Sequence, residues 1–69
     1  METFNLEFKS QIKLWKLLRN RDHFLTKREA KDRIVCGMVS VNGITETKSG
    51  AKVSHGDMVE IEGQRIILE

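Results

Sequence analysis

Proline and tyrosine are absent from this sequence, cysteine occurs once, and no apolar run is longer than Ile66-Ile67-Leu68. Each absence removes a class of protein. A lone Cys36 cannot close an internal disulfide, and without a CxxC pair or a Cys/His cluster no metal ligands are expected. A reducing setting, the cytoplasm, is the expectation that follows. Apolar runs this short do not span a bilayer, and the acidic start Met1-Glu-Thr-Phe-Asn-Leu-Glu7 does not read as a signal peptide, so no membrane role is expected. An enzyme finds no support: Cys36 has no base near it in sequence and reads as a buried or half-buried small hydrophobe. His23 and His55 share no metal spacing and fall in loops, and Asp57 after Gly56 reads as a turn residue rather than an acid. No cofactor is expected.

What is present is a folded chain. Its 69 residues, 39% of them hydrophobic, suffice for one domain over residues 1–69, because a chain this long buries only about 60% of its unfolded surface and cannot support two cores. The formal net charge is only +2, but it is unevenly placed. Residues 1–8 carry −2, residues 9–33 carry +6 from nine basic and three acidic side chains, residues 34–56 carry +1, and residues 57–69 carry −3. Such a separation can steer a polyanion to one face while the acidic end keeps the rest soluble.

The residue periods give an order of elements. Thr3 to Phe8 alternates polar and apolar, predicting a half-buried strand with Phe4, Leu6 and Phe8 inward. Ser10 is placed to cap a helix starting at Gln11, with Leu14 and Leu18 inward, Trp15 beside that stripe, and Lys13 and Lys16 on the opposite face; the helix frays by Asn20 to His23, before Phe24-Leu25 returns to the core. Thr26 and Glu29 form a capping box for a second helix. Ala30 and Ile34, with Val35 adjoining, give its core side; Lys27 and Lys31 share another face with Arg28, and Gly37 ends it. From Val39 the period falls to two. Asn42-Gly43 is a strong hairpin signal, and Ser49-Gly50 and His55-Gly56-Asp57 mark further turns. Strands follow at Val53, Met58 to Ile61 and Arg65 to Leu68, the last two joined around Gly63. The fold class expected is α+β: two packed N-terminal helices against a small, mostly antiparallel sheet.

Leu14 and Leu18 on one helix, Thr26-Lys27-x-Glu29-Ala30 opening the next, Gly37-x-Val39-x-Val41-Asn42-Gly43, and Gly56-Asp57-x-Val59 together resemble the S-four RNA-binding domain, named after a small-subunit ribosomal protein. The resemblance covers residues 12–62 and is nearest to the small stand-alone bacterial members, to which no catalytic domain is attached. It implies the alpha-L RNA-binding motif and a non-catalytic, monomeric protein that holds structured RNA, ribosomal or transfer RNA, with the ribosome as a candidate partner. By position, the family's basic residues fall on Lys13 and Lys27, and Lys31 continues the second helix. In the loop after Val41-Asn-Gly43, where stand-alone members carry paired arginines and a lysine, only Lys48 and Lys52 remain. The expected RNA contacts are Lys13, Lys16, Thr26, Lys27, Arg28, Lys31, Lys48 and Lys52. With no tyrosine, and with Trp15, Phe4, Phe8 and Phe24 at core positions, an aromatic platform for single strands is not expected. Two rivals stand beside this reading. One is an adaptor docking on the ribosome or an enzyme through its acidic end. The other is a ubiquitin-like sulfur carrier, which Ile66-Ile-Leu-Glu69 disfavours because a carrier needs a terminal Gly-Gly to activate.

Overall fold

The first residues alternate as expected, but the strand they form is short. In the computed structural model, which describes residues 1–7 and 9–69, β1 covers Glu2–Phe4 and stops before the predicted end. The side chain of Asn5 accepts the Glu7 N–H (2.7 Å), and Glu7 takes a left-handed φ of 59°, which turns the chain out of the sheet. Leu6 is still buried, its N–H donated to the Glu69 carbonyl (2.7 Å); the expectation for Phe8 lies outside the described residues.

The first helix also begins later than its sequence suggests. Gln11–Lys13 is a strand, β2, and α1 covers Leu14–Arg21 with Lys13 at its N-cap and no side-chain cap; Ser10 caps nothing. The reason is a distant partner. β2 pairs antiparallel with β5 (Lys52–Ser54), setting Ile12 opposite Val53, and the first helical N–H, that of Leu14, is donated to the Ala51 carbonyl (2.9 Å). A backbone donor already held by the neighbouring strand needs no capping hydroxyl.

The second helix, α2 (Lys27–Val35), follows its sequence closely. Thr26 Oγ1 accepts the Glu29 N–H (3.1 Å), and a Glu29 carboxylate oxygen accepts the Thr26 N–H (3.2 Å). At its other end the Met38 N–H reaches the Arg33 carbonyl (3.1 Å) and the Gly37 N–H the Ile34 carbonyl (3.0 Å), with Gly37 at φ 80°: a Schellman stop that a residue with a Cβ makes only with strain. Ala30 and Ile34 are fully buried. Val35, one residue round the helix, is 57% exposed, because the core covers only the Ala30–Ile34 stripe, and Cys36 at the C-cap is exposed rather than buried. Phe24 corrects the sequence reading further, at 95% exposed beside a buried Leu25. The tight turn after α1 turns only one of this adjacent pair inward, and Leu25, just before the cap, is the one that enters the core.

β3 (Val39–Val41) and β4 (Ile44–Glu46) form the hairpin expected around Asn42-Gly43, both with positive φ as a type I′ turn requires. β6 (Met58–Ile61) and β7 (Gln64–Leu68) form a second hairpin. The five-stranded sheet has the order β1-β7-β6-β3-β4, with β1 parallel to β7 and every other pair antiparallel; β2 and β5 form a separate ribbon. The architecture is α+β, with two helices that contact each other and a mostly antiparallel sheet. Leu14, Leu17 and Leu18 of α1, Ala30 and Ile34 of α2, Val53 of β5 and Val39, Val59, Ile66 and Leu68 of the sheet form one core. Each large aliphatic side chain fully buried there contributes about 1.5–3 kcal/mol.

Asn42 and Asp57, from two turns separate in sequence, clamp the sheet end together. Asn42 donates its amide to Asp57 (3.0 Å) and accepts the Met58 N–H (2.9 Å), while Asp57 also accepts the Ser54 N–H (2.8 Å). The bond from Asn42, then that from the Ser54 backbone, hold the Asp57 carboxyl below its ordinary value. A depressed folded pKa means that the clamp stabilises above the ordinary aspartate range and is lost as pH falls through the lowered value. Asp57→Asn is expected to cost about 1 kcal/mol at neutral pH. Chemical denaturation of both proteins from neutral to acid pH should show the gap closing at the acid end.

Candidate nucleic-acid interface

The cap that starts α2 places Lys27 at the first helical position and Lys31 one turn on. α2 packs on α1, and that contact carries both lysines over the ring of Trp15. Lys27 Nζ lies 4.7 Å from the ring centroid, Lys31 Nζ 5.8 Å and Lys16 Nζ, from α1 itself, 5.7 Å. Trp15 is 6% exposed, so its ring is the floor under three ammonium groups from two helices. Attraction to the ring face, about 0.5–1 kcal/mol for each exposed cation, offsets part of the repulsion among them. The sequence shows Trp15 only as a residue beside an apolar stripe. Its neighbour Lys16 was the available signal, but the α2 lysines reach the ring only through helix packing.

A second cationic group adjoins the first through Lys16. Lys13 and Lys52 stand directly opposite each other in the β2–β5 ribbon, a like-charge pairing that destabilises an antiparallel pair. With Lys9, Gln11, Ile12 and Lys16 they line an open depression of about 290 Å³ that has no acidic residue in its wall. Lys9 was not among the expected contacts, because it precedes every element that the sequence makes legible.

Lys27, Arg28, Lys31, Asp32, Val35 and Ser49 line another depression, of about 480 Å³, between α2 and the loop after β4. The expected residues therefore divide. Lys13, Lys16 and Lys52 come together, Lys27, Arg28 and Lys31 come together, and Trp15 joins the two sets. Thr26 sits at the cap with its oxygen already accepting a backbone N–H, leaving its hydroxyl proton free to donate. Lys48 lies in a turn, its N–H on the Glu46 carboxylate (3.1 Å), and lines neither depression. The backbone N–H groups of Lys27 and Arg28 remain at the positive end of the α2 dipole.

The ion pairs among the described residues use other cations: Arg21 with Glu2 (3.0 Å), Arg33 with Glu62 (2.5 Å) and Arg65 with Glu60 (3.7 Å). The first two hold acidic residues of β1 and of the β6–β7 turn against the helices, and none of the three uses a lysine around Trp15. Among the described residues no group of three or more His, Cys, Asp or Glu side chains could hold a metal ion, and no helix is long and apolar enough to cross a membrane.

Comparison with known proteins gives one family: a family model described as S4 domain matches residues 4–69. No curated protein matches the chain.

Proposed function

The chain belongs to the S4 domain family, which is generally associated with RNA binding, and from that premise we propose that it binds structured RNA through the lysine surface centred on Trp15. The observation that carries the proposal is the convergence of Lys16, Lys27 and Lys31 on one ring, continued through Lys13 and Lys52 without an intervening acid. In this reading residues 1–69 act as one non-catalytic, monomeric domain, α1 and α2 form the alpha-L motif, and the RNA is ribosomal or transfer RNA. Arg28, Thr26 and the free N–H groups of the first α2 turn add phosphate contacts, Lys52 belongs to the surface through β5, and Lys48 extends it from the loop before that strand.

Phosphate contacts of this kind supply affinity through release of counterions and position the ligand without reading bases. Double-stranded RNA hides its base edges in a deep, narrow major groove, so a rigid array of ammonium groups distinguishes it by the spacing of its phosphates. Filter binding to a structured RNA at roughly 50 and 200 mM salt tests the reading. Lys27→Ala with Lys31→Ala is expected to weaken binding by about 60-fold near 0.1 M salt, at about 0.9 log unit for each lost contact. No binding at low salt, or equal binding by the double variant, contradicts it.

A further inference from the structure

We propose that Phe24 is a base-stacking residue, so that the RNA bound by this protein presents an unpaired nucleotide next to the phosphates held by the two helices. The proposal rests on the RNA-binding reading above and adds to it a contact of a different chemical kind. Phe24 is 95% exposed, more than any other large hydrophobic side chain among the described residues. It contributes nothing to the core, yet its backbone is fixed. Its N–H is donated to the Asp22 carboxylate (3.1 Å), the next N–H, of Leu25, to the Asp22 carbonyl (3.1 Å), and the Arg19 guanidinium reaches the Leu25 carbonyl (3.2 Å). Leu25 is buried and anchors the turn from below. An apolar ring held out by a turn this well anchored is pre-organised to meet a surface, because little backbone freedom remains to be lost on contact.

The surroundings say which surface. On the N-terminal side, His23 shares an open groove of about 340 Å³ with Lys9, Trp15, Lys16 and Arg19. On the C-terminal side the chain continues directly into Thr26, Lys27 and Arg28. The nearby carboxylate, Asp22, is engaged with the Phe24 N–H. A partner for this ring has to carry negative charge on both sides of a flat, apolar face. A nucleotide does so, with phosphates flanking a base whose π-face stacks on aromatic side chains regardless of its identity. Bases inside a duplex are stacked on each other, so the accessible ones are bulged, looped or terminal.

Three RNAs of one stem distinguish the outcomes: one with a single bulged nucleotide, one with an abasic bulge and one fully paired. Against the bulged RNA, Phe24→Ala is expected to lose roughly 5- to 100-fold in affinity and Phe24→Trp to lose none. The wild type is expected to prefer the bulged RNA over the abasic and fully paired ones, and Phe24→Ala to remove the preference. Because stacking displaces no counterions, the salt dependence of Phe24→Ala should match the wild type, and an unchanged melting temperature should show that the fold is intact. Salt-sensitive binding by the wild type with equal affinity of Phe24→Ala for the bulged RNA overturns this inference alone. A loss of the same size for all three RNAs also overturns it. Absence of any RNA binding by the wild type overturns the reading on which it rests.

Discussion

Replacing Lys16, Lys27 and Lys31 together by glutamate is expected to reduce affinity for structured RNA by at least about 500-fold near 0.1 M salt. Three phosphate contacts of about 0.9 log unit each give that figure, and the reversed charges then repel the phosphates they replaced contacts with. The substitutions take the formal net charge down by six, from +2 to −4. The fold should survive them. All three lysines stand on the outside of the molecule or at its edge, and an acid at the first position of α2 is favourable to the helix dipole. Loss of the three ring contacts costs about 1.5–3 kcal/mol in total, partly returned by relief of lysine–lysine repulsion. Circular dichroism should therefore show an unchanged spectrum beside a lost binding isotherm. A variant that keeps its affinity would move the RNA surface elsewhere on the molecule.

Trp15→Ala is the substitution with the largest expected effect on stability. Truncating a buried tryptophan costs about 3–5 kcal/mol through lost transfer energy and the cavity left behind. A chain of 69 residues has a total stability of only about 3–10 kcal/mol, so much of the margin is removed at once. In a domain of this size the melting temperature should fall by about 20–35 °C. Trp15→Phe separates packing from the ring's second role. It keeps most of the buried area but gives the ammonium groups a smaller, weaker face, so a modest loss of stability should accompany a several-fold loss of RNA affinity. The salt dependence should stay as in the wild type, because the lysines are still present. Unchanged affinity of Trp15→Phe would reduce the residue to a core side chain.

Features set by neighbouring residues were legible in the sequence. The Thr26–Glu29 box, the Gly37 stop and the Asn42-Gly43 turn each depend on groups a few positions apart, and each is present where it was expected. Features that depend on a distant partner were not. Gln11-Ile12-Lys13 is too short for its alternation to outweigh a Ser10 cap, and it becomes a strand only because Lys52-Val53-Ser54, forty residues on, lies against it. β4 was legible only through the Asn42-Gly43 turn, since Ile44-Thr45-Glu46 carries no strand pattern of its own and takes its register from β3. Composition cannot decide between Phe24 and Leu25 either, because only the closed turn determines which side chain enters the core. At the candidate interface, the lysines of each helix could be found by spacing. Their meeting over Trp15 could not, because it is a property of the α1–α2 contact.

The central claim, that this lysine surface is where RNA phosphates sit, is tested most directly by the slope of log K against log salt for the wild type and for the Lys16, Lys27 and Lys31 triple glutamate variant on one structured RNA. The wild type should give a steep negative slope, and the variant a slope shallower by about two to three units, one for each phosphate contact removed. Parallel slopes for the two proteins, or wild-type binding that does not change with salt, would contradict it.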